Sequence, residues 1–302
     1  MFELHNNGKV KSLEVPDYLH IAFKAIPLVL HLTGLFFLVK LRRYYRSNSN
    51  ASNSKRSHLL HLINLSISEI LFVTLGLVSL ILIACGENSY AQYVLVIQYT
   101  TCCLQYFLAM IYMTVDRFLE IRLNIVYPVV WKYRYTKGVI FVTWVACGVF
   151  SVVILLSELP SRKRMEWIIF VYFYPIFESV FLALSVSIYG YIFVKLKQNS
   201  CHVYKKHSGL MKRRKKKHFY VPALIVLSFF VFIMIPDTLT TVFVLRDTKV
   251  PGSLQNYVYC SYLVGFSCDA IVYTFLSPLV RTKLALFGNC RSNANLNNRV
   301  AV

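Results

Sequence analysis

The sequence predicts an all-α membrane protein, a bundle of seven transmembrane helices. Three observations predict it. Hydrophobic residues make up 57% of the 302 residues, with a mean hydropathy of +0.54, above the roughly 45–50% of soluble chains. The apolar residues gather in separated blocks of about 20 residues, the length that crosses a bilayer as a helix. The charged residues, 33 basic against 13 acidic for a net charge of +20, sit mostly between those blocks. Membrane topology and attraction to an anionic leaflet account for such an excess, and no nucleic-acid partner is expected.

Met1 to Asp17 is polar and mixed, so it is read as a short extracellular N-terminus and not as a cleavable signal sequence. Residues 18–290 form the helical domain and 291–302 a short tail. The apolar blocks are Ile21–Leu41, Leu59–Ala84, Tyr93–Phe118, Val139–Ser157, Trp167–Lys195, Val221–Leu245 and Tyr257–Leu276. Pro27, Pro175, Pro222 and Pro236 lie within them, as membrane helices tolerate. Basic residues cluster after the first block (Lys40, Arg42, Arg43, Arg46), after the third (Arg117, Arg122, Lys132, Arg134, Lys137), through Lys195–Lys217, and in the tail. That bias sets the N-terminus outside and the C-terminus in the cytoplasm. No internal repeat is visible, against a transporter of duplicated halves. The eight cysteines form no metal-ligand spacing, and Cys102, Cys103, Cys147 and Cys268 read as small core residues.

Charges inside the blocks are the exceptions that carry information. Glu69, Glu178, Asp237 and Asp269 are each flanked by apolar residues. A carboxylate in hydrocarbon is costly and faces the bundle interior or a wet cavity. Each is either a functional group or a structural hydrogen-bonded acid. Asp116 and Arg117 end the third block side by side. They are either an interfacial anchor or a switch in which the acid restrains the arginine. His31, inside the first block, reads as a packed or interfacial residue.

Taken in order, these features resemble the rhodopsin-like family of G-protein-coupled receptors. The second block reads Asn64-Leu65-Ser66-Ile67-Ser68-Glu69, like the family's Asn-Leu-x-x-x-Asp with Glu for Asp. The third reads Asp116-Arg117-Phe118, like Asp-Arg-Tyr, and the fourth carries Trp144. The sixth reads Phe230 through Pro236, with Ile233 and Met234 replacing the family's cysteine and tryptophan. The seventh reads Asp269-Ala270-Ile271-Val272-Tyr273, like Asn/Asp-Pro-x-x-Tyr with Ala for Pro. Ser277 to Phe287 resembles the family's amphipathic eighth helix. Leu35 stands where the family carries Asn, and neither the start of the third block nor 158–166 offers a cysteine for the family's outer disulfide.

The resemblance implies a plasma-membrane receptor that passes an extracellular ligand signal to a heterotrimeric G protein. Its switch would be Asp116, Arg117, Phe118 and Tyr273, with Asp116 the main restraint on Arg117 and no acid at the basic base of the sixth helix, 213–218. Its internal polar network would be Asn64, Glu69 and Asp269. No cofactor is expected apart from a bound sodium ion near Glu69 and Asp269; against it stands a carboxyl–carboxylate pair sharing one proton, with Tyr106 taking up room beside it. The ligand pocket would be Tyr99, Cys103, Glu178, Met234, Asp237 and Tyr262, and Cys290 a palmitoylation site. Membrane lipids would attend the basic segments. No nucleophile–base order, metal spacing or phosphate loop is present, so no enzyme is expected. Two alternatives remain: a proton- or cation-coupled transporter using the four buried acids, and a receptor-derived protein without coupling.

Overall fold

A computed structural model describes residues 15–47, 53–123, 126–131, 133–158, 174–203, 223–246 and 252–276. Among them the regular structure is all helical. Helix α1 is Val15–Ser47 and α2 is Asn53–Ala84. Helix α3 spans Asn88–Leu123, with a π-helical segment at Gln98–Cys103. A four-residue helix α4, Tyr127–Val130, leads into α5, Tyr133–Glu158. Helix α6 is Tyr174–Val203. Helix α7 covers 223–245, with a π-helical segment at Phe230–Met234, and α8 is Gly252–Ile271, closing in a third π segment, Val272–Leu276.

Five stretches are long and apolar enough to cross a membrane: Lys24–Arg46, Arg56–Ala84, Asn88–Leu123, Tyr133–Ser157 and Ala223–Phe243. That is the character of a multi-pass membrane protein. The shorter Pro175–Tyr191 is apolar as well. The expected amphipathic stretch 277–287 and Cys290 lie outside the described residues, as do the basic run 204–222 and the segment 159–173.

Several helices outrun the apolar blocks that announced them, because packing continues past the last hydrophobic run. Leu38, Leu41 and Tyr45 are buried at helical spacing and carry α1 through its arginines. Ser57 and His58 are buried and carry α2 ahead of Leu59.

Helix α2 lies against α1, α3 and α5; α3 also packs on α6, α6 meets α7, and α8 closes the circuit against α7 and α1. Helix α5 stands at the periphery, with Phe141 70% and Leu156 65% exposed toward what a membrane would supply as lipid. The centre is aromatic. Phe181 meets Phe229 at 4.8 Å and Phe107 meets Phe229 at 5.4 Å. Tyr106 and Phe72 contact Phe266 at 5.3 and 5.2 Å. In lipid, where apolar burial gains little, such close packing holds helices together.

The backbone interruptions are satisfied by side chains from neighbouring helices. Pro236 has no N–H to give the carbonyl of Phe232, one turn back; Ser261 of α8 donates to that carbonyl at 2.8 Å. Gln98 donates to the carbonyl of Phe72 at 2.9 Å and Lys24 to that of Gly76 at 2.8 Å. Each bond ties one helix to the backbone of another, which rigid bundles in lipid require.

Candidate functional site

Buried polar residues form three tiers. The first is at the C-terminal end of α3. Arg117, 6% exposed, directs Nη2 to Asp116 Oδ2 at 2.9 Å and Nη1 to Glu120. Asp116 is the hub. Its Oδ1 accepts from Tyr127 at 2.5 Å and from Ser57 at 3.1 Å, and His61 Nε2 lies 3.9 Å away. Ser57 bonds in turn to Thr136 at 2.7 Å. One carboxylate thus joins α2, α3, α4 and, through Ser57, α5. Burial, and then Asp116 beside it, raises the Tyr127 phenol above its ordinary value, so it remains a donor. Phe118 turns away to stack edge-on with Tyr191 at 5.4 Å and lies under the Arg122 guanidinium.

To the expected main restraint, Asp116, the structure adds a second: Glu120, one turn on, shares the guanidinium. Sequence reading passed over Glu120 because an i, i+3 acid near a helix end is ordinarily a solvated pair. Its carboxylate is 35% exposed, that of Asp116 1%.

The second tier lies midway along the helices. Glu69 and Asp269, both fully buried, lie close enough to act on each other electrostatically; two acids so placed favour a single shared proton over two charges. Tyr106 donates to Asp269 Oδ2 at 2.8 Å. His31 Nδ1 lies 3.1 Å from Glu69 Oε2 and 2.5 Å from the Tyr273 hydroxyl, and Tyr273 donates to Ser66 at 3.1 Å. With the tyrosine proton on Ser66, the proton of His31 belongs on Nδ1. Tyr273, grouped by resemblance with the switch, thus has its hydroxyl among the Glu69 network. His31 is packed, as expected, yet it is also a polar member of this tier. A single histidine in an apolar run gives no sign of the glutamate it will meet. No group of three or more His, Cys, Asp or Glu able to hold a metal occurs among the described residues. Asn64 stands in a neighbouring lattice: its Oδ1 accepts from Trp144 Nε1 at 2.8 Å and from Gln105 Nε2 at 3.3 Å, and Gln105 also reaches Thr143 at 3.2 Å.

The third tier is nearer the other end. Tyr262 donates to Asp237 Oδ2, and Glu178 lies close enough to Asp237 to act on it electrostatically. Tyr99 and Cys103 stand on the π segment of α3, with Phe72 between Tyr99 (5.7 Å, edge-on) and Tyr262 (5.9 Å, stacked). The structure so gathers Tyr99, Cys103, Glu178, Asp237 and Tyr262 from α3, α6, α7 and α8. Met234 ends the π segment of α7 and packs, partly buried, against the core. Phe72 is the member that sequence reading missed. Glu178 is 2% and Tyr262 5% exposed, so the tier is largely closed. The three π segments carry Tyr99 with Cys103, Met234, and Tyr273 respectively; such segments recur where a helix must present side chains off its regular spacing.

In comparison with known proteins, no family model matches the chain, and a search of the curated proteins finds no match.

Proposed function

We propose that the protein is a G-protein-coupled receptor: a seven-helix plasma-membrane bundle with a short amphipathic eighth helix, its N-terminus outside and its C-terminus cytoplasmic. A ligand entering the Tyr99–Glu178–Asp237–Tyr262 tier favours a conformation in which α7 moves and Arg117 is freed for a G-protein α-subunit. A ligand shifts such an equilibrium only by binding one state better than the other. Asp237 and Glu178 suit a cationic group on that ligand, and Tyr99 stands where amine receptors carry an acid, against a simple monoamine.

The observation that carries this reading is the buried Arg117 held by Asp116 and Glu120 at one end of a bundle whose other end gathers the third tier. Glu69 and Asp269 would couple the two through Tyr273 and Tyr106. Their burial side by side, with Tyr106 on one acid and His31 beside the other, favours a shared proton over a sodium ion. The test is nucleotide exchange on a panel of purified G proteins with the reconstituted chain. Exchange on any of them supports a receptor.

One observation favours a second reading. Two pairs of acids, Glu69 with Asp269, both buried, and buried Glu178 with half-buried Asp237, occupy different depths of one bundle, as a proton or cation path would need. Acid-dependent solute flux in proteoliposomes, without exchange on any G protein, would establish transport instead.

A further inference from the structure

A groove of about 470 Å³ opens on the membrane-facing side where α3, α4 and α5 meet. Its walls are Tyr112, Val139 and Val142, and Trp131 and Arg134 stand at the end nearest α4. Gly138 makes the floor: nothing lies within 4 Å of the place a Cβ would take. The walls belong to a lipid-facing surface, since Val142 is 63% and Tyr135 52% exposed. Arg134 is exposed and forms no ion pair with a described residue, and no acid lines the groove. Trp131, which stacks obliquely with Tyr135 at 6.4 Å, has an Nε1–H without an acceptor among the described residues.

The arrangement is an apolar trough with a guanidinium at its mouth that no acid among the described residues neutralises. We propose that it is a binding site for one anionic phospholipid. An acyl chain lies along Gly138, Val139, Val142 and Tyr112, and the phosphodiester is held by Arg134, whose planar fork matches phosphate oxygens. Charge complementarity selects this occupant over a sterol, which offers no anion, and over a zwitterionic phospholipid, whose choline offsets its own phosphodiester. Anionic lipids concentrate in the cytoplasmic leaflet; that this end faces that leaflet rests on the orientation proposed above, whereas the binding itself does not.

Native mass spectrometry of the full chain in neutral detergent tests the site, with phosphatidylserine, phosphatidylcholine of the same acyl chains, and cholesterol added separately. No G protein is needed, so the result is independent of coupling. One phosphatidylserine should be retained in preference to phosphatidylcholine. Arg134→Gln should weaken it about tenfold, the loss of one charge-assisted contact. Gly138→Leu, which fills the floor and leaves every charge in place, should weaken it as well. Lys137→Gln, beside the groove but with its ammonium over the Tyr133 ring at 4.7 Å, should change it less than about twofold. Should Arg134→Gln not fold, Gly138→Leu alone decides. Equal retention of the two phospholipids, equal loss in Arg134→Gln and Lys137→Gln, undiminished retention in Gly138→Leu, or retention of cholesterol alone would each overturn the proposal.

Discussion

Two single residues show how little slack the interior has. Gly34 of α1 faces the third π segment. A Cβ there would stand 2.6 Å from Thr274 Oγ1 and 2.8 Å from the Tyr273 ring. Tyr273 is fixed by His31 and Ser66, so it has no free direction in which to yield. Gly34→Ala should therefore cost about 1–3 kcal/mol, the usual penalty of overpacking, seen as a lower melting temperature of the purified protein in detergent. An unchanged melting temperature would mean that α1 and α8 separate at no cost. Asn64 presents the opposite case, a deletion. Its one carbonyl oxygen serves Trp144 and Gln105. Asn64→Leu keeps the volume and leaves two donors, buried Gln105 and half-buried Trp144, without that acceptor, at up to about 1–3 kcal/mol for each group that finds no other. Because Gln105 retains Thr143, Trp144 should bear most of the loss. Trp144→Phe in the Asn64→Leu background should restore part of the melting temperature, and two strictly additive losses would show that the pair does not interact.

At the scale of elements, the short helix α4 has four residues, too few to hold itself. Its anchor is the bond from the buried Tyr127 to Asp116. Tyr127→Phe removes that bond while keeping the ring, and Asp116 Oδ1 keeps Ser57. We expect a stability loss of about 1 kcal/mol, with faster amide exchange confined to 126–131. Acceleration spread evenly through α3 and α5 would show that Tyr127 is no local anchor. The helices themselves were legible in the sequence as apolar blocks, since a bilayer needs long uninterrupted runs. Their ends were not, because Tyr45, Ser57 and Asn88 extend helices through polar residues that only packing justifies. The π segments were equally hidden. No proline or glycine marks Gln98–Cys103; Gln98 on the backbone of α2 and Thr100 bonded to Ser151 at 2.7 Å hold it from neighbouring helices.

For the whole molecule, the order of motifs along the chain was legible and the partners across it were not. Asp116 next to Arg117 could be read because neighbours in sequence are neighbours in space. Glu69 and Asp269 were brought together only by the resemblance; that His31 and Tyr273 join them could not be read, since the group spans three helices far apart in the chain. The division of Arg117 between two acids was hidden for another reason, that an i, i+3 acid near a helix end is ordinarily solvated, and it sets how strongly the guanidinium is held. Asp116→Asn keeps an oxygen for Tyr127 and Ser57 and can turn its amide toward the guanidinium, where like donors face each other. Glu120→Gln removes a partner that is already 35% exposed and hence weaker. If Arg117 is the element that a G protein takes over, basal nucleotide exchange should rise a few-fold in Asp116→Asn, less in Glu120→Gln, and most in the double variant, where the guanidinium keeps neither acid. A few-fold rise corresponds to roughly 1 kcal/mol moved from the resting to the active form. Surface expression should be matched across the variants, because Asp116 also joins α2 to α4. Should the double variant exchange no faster than wild type on any G protein, with expression intact, then Asp116, Arg117 and Glu120 hold the end of α3 together and regulate nothing.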